Sequence, residues 1–337
     1  MSAPGQWARV LGTGLLNQRG GGMMGSAVVA DRWAYNGHPA VVLENHRIRA
    51  VVLPTIGGKL YMLEDRLRAR EWLWQNPRIL PAPVLVGSTL DEHWSGGADV
   101  FFPTCYPCEV DGVRIPDAGE WWNVPWQQAV HRSDTGVTLE LQTGGRILPV
   151  EARRLYVLEQ EGRSLRLEFR ILNVGHTGLS FVLGFHPALA VRPGGRMLLP
   201  AGVAQVDETS HETMGALGQR YRWPALEIPD GETIDMSVFR GSDAAVYGAH
   251  FLFPDDKRVR WSVVDPDGST LNLVASEAFQ GLWLWQVYGG WRGYHHVAIE
   301  PWTSYPITLS RAIEVGTAIT IGPREEFMAS VTLSVGP

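Results

Sequence analysis

At 337 residues the chain can bury a large core without disulfide or metal staples. A net charge of −6, built from 29 basic and 35 acidic residues scattered rather than blocked, makes nucleic acid and anionic membranes poor partners. No apolar run reaches the about 18 residues of a transmembrane helix, and the N-terminus has no apolar stretch behind a basic start, so no signal peptide is expected and the cytoplasm is the expected location. Residues 1–26 read as an arm. Its Gly20-Gly21-Gly22 is not a phosphate loop, because no Gly-Lys-Ser/Thr follows it and no strand precedes it.

Beyond the arm the texture is strand, turn, strand. His38 to Glu44, Ile48 to Pro54 and Lys59 to Leu63 are β-rich runs separated by turn residues. Glu71 to Gln75 reads as a helical turn stopped by Pro77. Residues 77–126, dense in Pro, Gly and aromatics, read as a long irregular excursion laid over one face of the fold, the kind of loop that carries function. Strands follow at Val137 to Gln142, Arg153 to Glu159, Ser164 to Leu172 and Leu179 to Leu183. Leu165 to Ile171 alternates strictly, giving one buried and one wet face. Residues 207–258 are more polar and read as a lid or rim. Strands resume at Val259 to Val264, Thr270 to Val274, Leu282 to Val287 and His296 to Glu300, and Arg311 to Val315 reads as a short helix. Ala318 to Ile321 and Phe327 to Val335 close the chain. Many short strands with Gly/Pro turns predict an all-β protein, a large antiparallel β-sandwich with few short helices, as one domain over residues 27–337.

The two cysteines, Cys105 and Cys108, lack the following helix that a redox pair needs and the second pair that a zinc site needs, so they read as small hydrophobes. Several of the fourteen tryptophans stand beside polar residues in loop-like contexts: Trp94, Trp121, Trp122, Trp126, Trp291 and Trp302. Indoles there suit the apolar face of a sugar ring, and they suit a large β core as well.

Two stretches could carry chemistry. In His295 to Pro306, an apolar strand runs into Glu300, and Pro301 holds that residue extended. In Leu183 to Val191, His186 likewise ends an apolar strand and precedes Pro187. A carboxylate as base and an imidazole as acid, each on a stiff strand end, make an acid–base pair able to work near neutral pH.

With Phe185-His186-Pro187 and Ile299-Glu300-Pro301-Trp302-Thr303 in order, the chain resembles the galactose mutarotase-like (aldose 1-epimerase) superfamily. Looser matches accompany them: Leu53 to Leu60 as its early hairpin, Leu282 to Gln286 as its aromatic strand, and Gly96 to Pro103 with Ile115 to Trp122 as its substrate loop. The resemblance implies opening and reclosing of a sugar ring. Glu300 would take the proton of the anomeric hydroxyl and His186 would protonate the ring oxygen, with no cofactor and no metal. It also makes Asp117, Glu120, Trp122, Trp285, Gln286 and Trp302 candidates for sugar contact. The sequence departs from the family's pattern at Ala118-Gly119, where members with known activity carry His-Gly. Either His93, Asp117 or Glu120 fills in for the absent imidazole, or the space it frees, walled by Trp121 and Trp122, admits a bulkier or modified sugar. Arg66, Arg68, Arg70, Arg153 and Arg154 are available should that modification be a phosphate. A non-catalytic sugar-binding protein and a lyase or glycosidase on the same sandwich stay open. The distance between the Glu300 carboxylate and the His186 ring separates them.

Overall fold

The computed structural model describes residues 27–336, so the arm expected at residues 1–26 lies outside the described residues. Two antiparallel sheets face each other. The larger has twelve strands, and its centre runs in the spatial order Lys59–Asp65, Ala98–Phe101, Gly184–Leu189, His295–Trp302, Gly281–Tyr288, Val246–Pro254, Gly202–Thr209. The smaller has eight, including Gly136–Gly144, Val150–Glu159, Ser164–Asn173 and Glu326–Gly336. The chain is therefore the expected all-β sandwich. The apolar core between the sheets takes alternate residues from both: Leu139, Leu141, Leu165 and Leu167 from one side, Leu282, Leu284, Val297 and Ile299 from the other.

The period of two settles what lies on the opposite, outer face of the large sheet. On the His295–Trp302 strand, Val297 and Ile299 point to the core, which leaves His296, Ala298, Glu300 and Trp302 outward. The excursion over residues 77–126 covers much of that face, with Trp94, Cys105, Ile115 and Trp122 packing on Ala188, Ala298 and Trp283. Strands buried on both faces lose polar alternation, which is why Gly184–Leu189 and Gly281–Tyr288 are almost unbroken apolar runs.

Three expectations need correction. Glu71 to Gln75 is extended rather than helical: Trp72 donates its amide to Leu63 and Trp74 to Ala188, so its backbone hydrogen bonds go to strands on either side. The excursion is less irregular than its composition suggested, since Ala98–Phe101 is a central strand of the large sheet, alongside a short helix at Leu90–His93 and a hairpin of Cys108–Val110 with Val113–Ile115. Residues 207–258 are not all rim, because Val246–Pro254 is a central strand as well. Its mid-strand His250 made it look polar, yet that ring is fully buried and meets the Tyr221 hydroxyl at 2.7 Å. The expected last helix forms at Leu309–Glu314.

Candidate active site

Strand register builds the site. His186 pairs with Asp99 on one side, while the Gly184/Trp302 and Ala188/Ala298 pairs flank the crossing of His186 with Glu300 on the other. Glu300 in turn lies opposite Trp283, and Trp283 opposite Phe251. One row across the sheet thus reads Asp99, His186, Glu300, Trp283, although these residues are up to 201 positions apart in sequence. Lys59, from the next strand along, extends the row: its ammonium is 3.1 Å from Asp99 and donates to the Gly96 carbonyl and the Ser95 hydroxyl.

His186 Nε2 stands 3.3 Å from Glu300 Oε1, with His186 4% exposed and Glu300 wholly enclosed. The Trp302 indole donates to the other Glu300 oxygen at 3.0 Å. Trp302 is fixed in its turn by Gly184, where an added methyl would fall 2.4 Å from the indole ring. Phe101 lies beside the imidazole, ring centres 4.8 Å apart, and Trp94 meets its edge while donating to Asp99.

Burial disfavours charge on both members of the pair. It pushes the His186 imidazole down to about 3, reinforced by the Lys59 ammonium. It pushes the Glu300 carboxyl well above the ordinary carboxylate range, against the opposing pull of the Trp302 indole. Between those two shifted values the folded pair holds one proton and no net charge. Unfolded, it holds two protons below about pH 4.5, one up to about pH 6.5 and none above. Its contribution to stability should then rise from about pH 3 to 4.5, stay flat to about 6.5, and fall beyond, by up to about 1.4 kcal/mol per pH unit. Denaturant titrations of the protein and of its His186→Gln/Glu300→Gln double variant across pH 3–9 check this. A difference in stability that does not change with pH would mean that the pair titrates as it does in the unfolded chain.

A cleft opens above His186. Its aromatic walls are Trp94, Trp283, Trp285 and Trp291, the indoles of Trp283 and Trp285 lying parallel at 5.9 Å. Its polar side carries Asp91, Asp117 and Glu208, and Leu90, Phe101, Cys105 and Tyr106 complete the lining. Among the described residues no Lys or Arg lines it, and Arg292 stands beside it on Asp91. Of the five arginines considered from sequence, none reaches the cleft. Arg70 pairs with buried Asp265, Arg154 donates to Gly57 and Gly58, and Arg66 and Arg153 pair with Glu44 and Glu140.

The sequence candidates divide accordingly. His186, Asp117 and Trp285 line the cleft, and Glu300 and Trp302 lie directly behind His186. Trp122 backs the Asp117 turn, its indole donating to the Asp117 carbonyl at 3.3 Å. Glu120 is buried away from the cleft, where it accepts the amides of Arg146, Ile147 and Leu148. Gln286 is on the core face of its strand, with the Tyr288 hydroxyl donating to it at 3.0 Å. Neighbouring strand residues face opposite ways, so Trp285 and Gln286 could not both reach the cleft; Trp283, two residues away, does. Ala118 is buried in a left-handed turn (φ 56°) and does not line the cleft, nor does His93. Trp121 is stacked on Phe102 in the core rather than walling a widened pocket.

Sequence reasoning missed Asp91, Tyr106 and Glu208. The first two come from the excursion, whose path no local pattern encodes. Glu208 is turned outward by an irregularity in the pairing of Gly202–Thr209 with Val246–Pro254, between Val206 and Glu208. Val206 and Ala204 face the core, and simple alternation would have sent residue 208 the same way.

No protein-family model matches the sequence. The architecture does match solved structures. The Slr1438 protein of Synechocystis superposes with a TM-score of 0.64 at 21% identity, over 89% of this chain and 96% of that one. A Klebsiella pneumoniae protein provisionally described as an aldose 1-epimerase gives 0.68 at 14% identity, over 92% and 83% of the two chains. A galactose mutarotase-like protein of Clostridium acetobutylicum gives 0.61 at 14%, over 92% and 99%. The chain has the galactose mutarotase-like fold. Among the described residues no helix is long and apolar enough to cross a membrane.

Proposed function

We propose that the cleft binds a sugar and interconverts its anomers by opening the ring, with the His186–Glu300 pair moving the protons. The observation that carries this reading is the 3.3 Å contact between the two side chains at the floor of a tryptophan-walled cleft. Ring opening needs a proton taken from the anomeric hydroxyl and one given to the ring oxygen. At 3.3 Å no sugar fits between the two groups, so they act from the same side of it. His186 meets the sugar, and Glu300, enclosed behind it, exchanges protons through the imidazole. A pair holding one proton suits the task. The imidazole gives that proton to the ring oxygen while the pair takes up the anomeric one, so the pair's own count is unchanged when the ring closes again.

Parallel indoles support ring stacking, and the carboxylates of Asp91, Asp117 and Glu208 in the lining favour an unphosphorylated sugar. Retention of Glu300 behind His186, together with alanine at position 118, gives the non-catalytic sugar-binding reading its one specific support. A panel of free and modified aldoses, followed by NMR exchange between anomers, separates the two. Exchange above the buffer rate on at least one sugar is expected. Binding with no exchange on any sugar that binds would leave only a receptor.

A further inference from the structure

Tyr106 enters the cleft from the covering excursion, while His186 lies in the floor. Its backbone is tied down before and at the residue itself. The Thr104 hydroxyl donates to the Tyr106 carbonyl at 2.7 Å and accepts the Leu309 amide at 3.1 Å. Cys105 donates its amide to the Ile307 carbonyl at 3.0 Å, and its own carbonyl accepts the Ala118 amide at 2.7 Å. Position 118, where the chain carries a methyl in place of an imidazole, is thus bonded to the residue just before Tyr106. The side chain is 41% exposed, yet its hydroxyl is the enclosed end: burial is the first cause pushing the phenol up, with Cys105, Glu208, Glu300 and Asp207 adding to it. That hydroxyl has no hydrogen-bond partner among the described residues. We infer that Tyr106 is a further catalytic residue, whose hydroxyl donates a hydrogen bond to the ring oxygen of the sugar as the ring opens.

The inference rests on the functional reading above and adds a third group to it. Trp283 and His186 lie in one row two strands apart, about 10 Å at the usual strand spacing. That is room for one sugar ring, and Tyr106 meets the Trp283 indole edge-on, ring centres 6.5 Å apart. Glu300, one of the carboxyls that acts on the phenol, also touches the imidazole, so hydroxyl and imidazole serve the same end of the sugar. In the step itself the anomeric hydroxyl gives its proton to the His186–Glu300 pair and the bond from the anomeric carbon to the ring oxygen breaks. The ring oxygen takes its proton from His186, and Tyr106 keeps its own. What the phenol supplies is a fixed donor for the charge that gathers on the ring oxygen before that proton arrives. Held up by burial, it stays a donor at neutral pH throughout.

Exchanging the ring oxygen for sulfur isolates the contact, since a thioether sulfur is only a weak acceptor. The probes are glucose and galactose, each beside its 5-thio analogue, followed by NMR exchange between anomers in the parent protein and in Tyr106→Phe. On the oxygen sugars the variant should lose about 10²–10³-fold in kcat, the usual result of removing one such donor, with KM little changed. On the 5-thio sugars the loss should shrink to a few-fold. Because each result compares variant with parent on two kinds of sugar, a loss of folded protein, which scales both alike, does not mimic it. An equal loss on both kinds would make Tyr106 a structural support, a rise in KM alone a binding contact, and an unchanged rate a bystander. Each of these overturns the inference and leaves the functional reading in place. If the parent protein accelerates none of these sugars, the inference fails together with the reading it rests on.

Discussion

Anomer exchange should fall about 10²–10⁴-fold in Glu300→Gln, the usual consequence of losing a positioned proton-transfer group, while the fold holds. The second half of that expectation comes from the environment. Burial favours the neutral form of the Glu300 carboxyl, which a glutamine matches in shape and in charge. The amide oxygen can accept from the Trp302 indole as Glu300 does at 3.0 Å, and the amide nitrogen then faces His186. Stability within about 1 kcal/mol of the parent is expected, since no buried polar group is stranded. Urea denaturation and NMR exchange on the same preparation check both halves. Exchange that persists while sugar affinity drops would reduce Glu300 to a support for the imidazole.

The largest loss of stability should come one step along the same row. Lys59 and Asp99 are 2% and 1% exposed, and their contact is 3.1 Å. Lys59→Met removes one charge and strands the other, with only the Trp94 indole left to Asp99. Breaking a buried pair in this way costs about 3–5 kcal/mol. Adding Asp99→Asn should restore most of it, because asparagine keeps an oxygen for Trp94 and carries no charge. A single variant within about 1 kcal/mol of the parent in urea would mean that water or local rearrangement solvates Asp99. Loss of Lys59 also removes the nearby cation that helps hold His186 deprotonated, so in any folded variant the imidazole should titrate higher by NMR.

Why these two pairs of side chains were unequally visible in the sequence has a physical answer. His186 and Glu300 stood out because each is a lone polar residue inside an apolar run and precedes a proline. Such a residue is rarely tolerated without a partner. Lys59 and Asp99 looked like ordinary strand ends, since nothing local says that position 59 will lie against position 99. The tryptophans gave composition but not direction: Trp121 and Trp126 went to the core, Trp94 and Trp291 to the cleft. Glu120 and Gln286 were misplaced for different reasons. Glu120 serves loop amides that only the folded chain brings near, whereas the orientation of Gln286 could have been read from Leu282-Trp283-Leu284-Trp285 by parity alone. The fold was the more legible because strand periodicity is local, and the cleft was less so because the excursion that roofs it is not periodic.

The strand order has a cost during synthesis. His295–Trp302 sits between Gly184–Leu189 and Gly281–Tyr288 in the middle of the large sheet. When Gly184–Leu189 leaves the ribosome, the strand that will cover its open edge has not been made and lies about a hundred residues downstream. At about 5–20 residues per second that edge, all of it destined for burial, waits roughly 5–20 s without its neighbour. The strand that supplies Glu300 is thus also the one that closes the sheet, and a nascent chain halted short of it is left with a sticky edge and no catalytic pair.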